Sequence, residues 1–137
     1  MSNKELEYWE WIPKYVENRE GMGKWMIIKS NRSYFNRYLK QLMNLCEVVK
    51  ISKENHPKYK GAFCVAMYIK VDDKQGHINL LQFLMNNELY PKLKDGSYKN
   101  LSFEREKDKE MNNITKDYKS YYTFKDFFNS DGTLKDK

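Results

Sequence analysis

Hydrophobic and polar positions alternate with period two over four stretches of this chain and recur with helical period over two others. In Lys24–Lys29, Trp25 and Ile27 fall on one face and Met26 and Ile28 on the other, which predicts a central strand apolar on both sides. Ala62–Val71 carries the strongest strand pattern, with Phe63, Val65, Met67 and Ile69 alternating with Cys64, Ala66, Tyr68 and Lys70. Glu47–Ser52 is short and β-branched, and Leu101–Glu106 sets Leu101 and Phe103 against Ser102 and Glu104, so both read as strands. Between the first two strands, Phe35, Tyr38, Leu39, Leu42, Leu45 and Cys46 share one helical face behind N-cap candidates in Ser30–Ser33. That spacing predicts one amphipathic helix. Ile78, Leu81, Leu84 and Met85 predict a second over His77–Asn87, after a turn at Asp72–Gly76.

The order strand, helix, strand, strand, helix, strand is the split βαβ arrangement. It predicts an α+β fold, an antiparallel sheet with both helices on one face. Gly23–Ser52 is the unit around which the rest is organised. The core would span residues 21–110, flanked by an aromatic arm at 1–20 and an aromatic tail at 111–137. Trp9 and Trp11, two apart, suit one face of an extended arm that Pro13 interrupts. They either pin the arm to the domain or stack on a ligand. Lys53–Gly61 reads as a basic loop, Tyr90–Asn100 as a loop, and Glu104–Glu110 as a charged, solvated stretch. In the tail, Tyr118, Tyr121, Tyr122, Phe124, Phe127 and Phe128 predict docking on the domain or on a partner.

Composition adds little to the fold. Apolar residues make up 40% of the 137 positions, enough for one core, and aromatics reach 15%. The mean hydropathy of −0.92 comes from many Lys and Asn, which a folded surface accommodates. Cys46 and Cys64 sit in apolar contexts, which predicts buried thiols rather than a disulfide. No apolar run is long enough to span a bilayer, and the first residues lack the apolar core of a signal peptide. These features predict a cytoplasmic protein without membrane association.

Charge changes the picture more. The net +6 is uneven: residues 1–20 hold five Glu against three basic side chains, whereas 29–60 hold eight basic side chains against Glu47 and Glu54. That segment alone matches the excess of the whole chain. It would attract phosphates or an acidic protein surface, although ordinary solubility accounts for it equally well. Arg32, Arg37, Lys50, Lys53, Lys58 and Lys60 are the candidate phosphate contacts.

Catalytic signatures are weak. His56 and His77 lack the Cys/His spacing of a zinc site, and the turn Asp72–Gly76 lacks that of a calcium loop, so no metal or cofactor is expected. There is no GxSxG, no GxxxxGK[ST] and no GxGxxG, and Cys64 lies in an apolar strand. Lys60–Met67 (KGAFCVAM) matches the third-strand signature of the RNA-recognition motif at Lys60, Gly61 and Val65. Its stacking positions hold Ala62, Cys64 and Met67, which cannot stack a base. The reading favours binding over turnover, with an unrecognised enzyme class left open.

Gly23-Lys24-Trp25-Met26-Ile27, a helix, and then Val49-Lys50-Ile51-Ser52 resemble the Bles family (basophilic-leukaemia-expressed-sequence proteins). That family pairs a GKWxIF-like strand with an AKVS-like strand, and Leu101–Lys107 is loosely similar to a later stretch of it. The resemblance spans about residues 9–113. It implies a curved sheet like that of the cap-binding translation initiation factor, with a nucleotide- or RNA-related face. It further implies Trp9, Trp11 and Trp25 as stacking residues and Lys24, Lys50 and Arg105 as phosphate contacts. The lyase chemistry suggested for relatives wants a Lys base and a His acid, and neither histidine is well placed for it. Two binding roles result. One is a small inhibitor, of the kind phages and mobile elements encode, that occupies a host defence effector, protein or nucleoprotein, through a basic face. The alternative is an RNA- or nucleotide-binding protein.

Overall fold

A computed structural model describes residues 3–106 and 122–135 of the chain. Its elements are α1 (Lys4–Glu7), β1 (Trp9–Ile12), β2 (Met22–Lys29), α2 (Arg32–Asn36), α3 (Leu39–Met43), β3 (Val48–Ser52), β4 (Phe63–Lys70), α4 (Lys74–Asn86), β5 (Ser102–Arg105) and β6 (Tyr122–Thr123). A 3₁₀ turn, Phe124–Asp126, follows. The strands form one antiparallel sheet in the order β1-β3-β4-β2-β5-β6. Its middle four, β3-β4-β2-β5, are the strands expected from alternation, in split βαβ order. The fold is α+β, as the element order implied.

Alternation divides the sheet into two unlike faces. Trp25 and Ile27 of β2, Val49 and Ile51 of β3, and Val65, Met67 and Ile69 of β4 bury one face. Phe35 of α2, Leu42 of α3 and Leu80, Leu81 and Leu84 of α4 pack on it in a single cluster, so the helices share this side. The intervening residues, including Trp11, Val48, Ala66 and Tyr68, form a separate cluster on the other face.

Three local readings need correction. The expected single helix after β2 is two short ones, interrupted at Arg37 and Tyr38, where the Tyr38 amide donates to Phe35 O rather than continuing the α pattern. Ser33, Tyr34, Phe35 and Asn36 are poor helix formers, so packing rather than propensity holds this segment. Its cap is Asn31, whose side chain accepts from the Tyr34 amide. The second helix starts at Lys74, earlier than its apolar face suggests, because Asp73 caps it by accepting from the Gly76 amide at 2.9 Å. The arm is also more than an appendage, since Trp9–Ile12 is the edge strand, in register with Val49–Ser52.

The tail docks on the domain. Tyr122 and Thr123 pair with Phe103 and Ser102, and Phe124, Phe127 and Phe128 join the main core. Tyr118 and Tyr121 lie outside the described residues. Gly23 shows why β5 can sit so close. A Cβ there would meet the Phe103 ring at 2.5 Å and Glu104 O at 2.7 Å, so any side chain would push β5 off β2.

Candidate functional site

The face away from the helices carries the polar chemistry. Lys50 sits between Val49 and Ile51, Lys24 precedes Trp25, and Tyr68 separates Met67 from Ile69, so strand alternation sends all three side chains across the sheet. Lys50 is 2% exposed and Lys24 5%. Lys50 Nζ lies 4.4 Å from the Trp9 ring centroid, 5.3 Å from Trp11 and 5.6 Å from Tyr68. Lys24 Nζ lies 5.7 Å from the Tyr68 ring and 3.8 Å from Glu104 Oε1. Stacking of Trp11 on Tyr68 at 5.8 Å completes this layer of rings and ammonium groups.

The arm packs on the Trp11 and Tyr68 part of it. After the cis Ile12–Pro13 bond, residues 14–19 run without helix or strand, with Tyr15 edge-on to Trp11 at 5.0 Å. Arg19 binds Glu5 Oε2 at 2.8 Å, approaches Glu106 Oε2 at 3.5 Å and lies 5.0 Å from the Trp11 ring. Burial and the Glu106 carboxylate push the Tyr68 hydroxyl well above the usual tyrosine range.

At the sheet end where β3 leaves and β4 enters, the loop 53–61 builds an outer cluster. His56 lies 5.0 Å from Trp9, 5.6 Å from Tyr8 and 4.7 Å from Tyr59, and Trp9 lies 6.1 Å from Tyr59. These four rings are half-buried, while Lys53, Lys58 and Lys60 around them are exposed. Lys53 Nζ donates to Leu6 O at 2.9 Å, and Lys58 Nζ hangs 5.6 Å from the Tyr59 ring. Partial burial, with Lys58 and Lys50 nearby, holds His56 below its usual pKa, so it is neutral at pH 7. Beside the cluster opens a cavity of about 570 Å³ lined by Glu10, Arg32, Ser52, Lys53, Glu54 and Tyr59 among others.

The sequence candidates therefore separate. Trp9 and Lys58 meet in the outer cluster, Lys53 ties its loop to Leu6 O, and Lys60 is exposed at the loop's end. Trp11, Lys24 and Lys50 belong to the covered layer and face protein neighbours, not solvent. Arg32 leaves the cluster to pair with Glu10 at 3.0 Å. Arg37 is exposed on the helix side, 5.3 Å from the Tyr34 ring. Arg105 is at the far end of the sheet, in register with Gly23. Trp25, a stacking candidate under the resemblance, is instead fully buried in the core with Nε1 donating to His77 Nδ1 at 2.9 Å. Sequence reasoning missed Tyr8, His56, Tyr59 and Arg19. Tyr59 and His56 were legible as aromatics in a basic loop, but nothing local tied them to Trp9.

Both cysteines are free thiols. Burial, with Glu47 nearby, pushes the Cys46 thiol up to about 12, and burial raises Cys64 as well, so neither is a ready thiolate. Among the described residues, no group of three or more His, Cys, Asp and Glu is placed to hold a metal, and no helix is long and apolar enough to cross a membrane. No protein-family model, curated protein or solved structure matches the chain.

Proposed function

We propose that this chain is a binding protein whose outer cluster holds single-stranded RNA. The observation that carries the reading is the half-buried ring group Tyr8, Trp9, His56 and Tyr59, edged by exposed Lys53, Lys58 and Lys60. Rings offer bases a sequence-tolerant stacking surface, and flexible ammonium groups follow the phosphates. A neutral His56 adds a ring without repelling the lysines. The contacts go to backbone and base faces, so the reading predicts little base preference.

Titration of a labelled oligouridylate by fluorescence anisotropy at about 50 and about 200 mM salt tests it. Affinity falls steeply with salt, and a Lys53→Glu, Lys58→Glu, Lys60→Glu variant loses it. Unchanged affinity in that variant overturns the reading.

A second reading has its own observation. On α2 and α3, Tyr34 is 43% and Met43 36% exposed, with Arg37 over the Tyr34 ring. Tyr, Met and Arg are the residues enriched at protein interfaces. This surface suits an acidic protein partner, as an inhibitor of a host defence effector would require. Retention of a stoichiometric partner from host lysate by wild type, and its loss on Arg37→Glu, support this role. Equal retention by both contradicts it.

A further inference from the structure

We infer that the cavity beside the outer cluster takes the terminal ribose of an RNA strand and recognises the free cis-diol of its 3′ end. The inference rests on the outer-cluster reading and names the part of the strand that the site selects. At about 570 Å³ the cavity lies within the roughly 300–1,000 Å³ of small-ligand pockets. Tyr59 belongs to both places, since it lines the cavity and packs on His56 at 4.7 Å. Cluster and cavity are thus contiguous, and a base held on the rings has its sugar within reach of the cavity.

The two places differ in charge. The outer cluster is edged by three lysines, whereas the cavity sets Glu10 and Glu54 against Arg32 and Lys53. Two carboxylates make a poor seat for a terminal phosphate, because like charges repel. They suit hydroxyl groups, which donate to carboxylates while accepting from cations. Donors and acceptors remain for such a ligand. Arg32 commits Nε to Asn36 Oδ1 at 2.8 Å and Nη2 to Glu10 Oε1 at 3.0 Å, leaving Nη1 to donate. Ser52 Oγ accepts from the Cys64 amide at 2.8 Å and keeps its own proton for a ligand oxygen. The Glu54 side chain has no hydrogen bond or ion pair among the described residues. Adjacent free hydroxyls occur in an RNA strand only on its 3′-terminal ribose, because every other 3′ oxygen is esterified. A carboxylate on ribose hydroxyls is a recurrent way to hold a nucleoside, and the 2′-OH separates RNA from DNA.

Short oligouridylates labelled at the 5′ end and differing only at the other terminus are titrated against the full chain by fluorescence anisotropy. One ends in the free cis-diol, one in a 3′-phosphate and one in a 2′,3′-dideoxy sugar. Wild type binds the diol several-fold more tightly than either blocked form. Glu54→Gln and Glu10→Gln each narrow that gap, and the 3′-phosphate form gains affinity as carboxylate charge is removed. Both residues are exposed, so both variants keep the cooperative unfolding of wild type. Equal affinity of wild type for the three termini overturns the cavity site alone, and the outer-cluster reading then stands or falls with the Lys53→Glu, Lys58→Glu, Lys60→Glu variant. A diol preference that survives undiminished in both glutamine variants also overturns the cavity site. Binding of none of the three oligonucleotides overturns both readings.

Discussion

The two faces of one sheet differ in kind. On the helix side, alternate residues of β2, β3 and β4 present Trp, Ile, Val and Met, and the buried polar side chain among them, His77, is fully engaged. Its Nδ1 accepts from Trp25 Nε1 at 2.9 Å, which assigns the proton to Nε2, 3.1 Å from Val71 O. On the other side, the residues between them are Lys24, Lys50, Ser52 and Tyr68, covered by an arm that brings Arg19 and Glu5. The same backbone thus carries an apolar face and a face where buried charges are interleaved with a smaller apolar cluster. Apolar residues at Lys24 and Lys50 would bury more easily. That contrast assigns the main apolar core to one face, while the binding proposed above falls to the loop 53–61 at the sheet's end.

The sharpest way to break the contrast is Trp25→Ala. It removes the largest core side chain and orphans His77 Nδ1, so a loss of roughly 3–5 kcal/mol in denaturant unfolding is expected. Phe128→Ala comes next, at roughly 3 kcal/mol, because the tail ring is fully buried and stacked on Phe124 at 5.3 Å. If the tail were only an appendage, this variant would unfold like wild type.

A smaller effect follows from His77. Burial depresses its pKa below the usual 6.5, with Asp73 and the Val71 carbonyl acting in the opposite sense. The rings of Trp25, Phe103, Tyr122 and Phe127 surround it. Below pH 6.5 the unfolded chain takes up a proton that the folded chain refuses. Stability is therefore complete above that pH and falls as pH drops toward the folded pKa, by at most about 1.4 kcal/mol per pH unit. Denaturation midpoints across this window check it, and His77→Gln flattens the dependence. An equal slope in both proteins contradicts the assignment.

Much of the helix-side architecture was legible because its signals are local. Period-two alternation located β2, β3, β4 and β5 within about two residues, and the apolar period located α4. Asn31 caps within the expected Ser30–Ser33, but Asp73 shifted the second helix's start because a cap lies outside the apolar period that reveals the helix. Docking of the tail was legible from its aromatics, but its seat was not. Phe124, Phe127 and Phe128 sit in a single tight turn, and their partners, such as Tyr90 and Trp25, are more than 20 residues away. The binding side was legible only in part. Charge counting collected Arg32, Arg37, Lys50 and Lys58 as one segment, but strand alternation and helix placement dispersed them to different faces. The approach of Lys50 to Trp9 and Trp11 requires the arm to pair with β3, which is a long-range event with no local signature.

The smallest stability effect and the most direct test belong to one protein, the Lys53→Glu, Lys58→Glu, Lys60→Glu variant. Its unfolding free energy and its affinity for oligouridylate are measured side by side with wild type. All three residues are exposed, so stability stays within about 0.5 kcal/mol per site, while RNA affinity collapses and its salt dependence flattens. Unchanged RNA affinity, or a large loss of stability, would contradict the placement of binding in the exposed loop cluster outside the core.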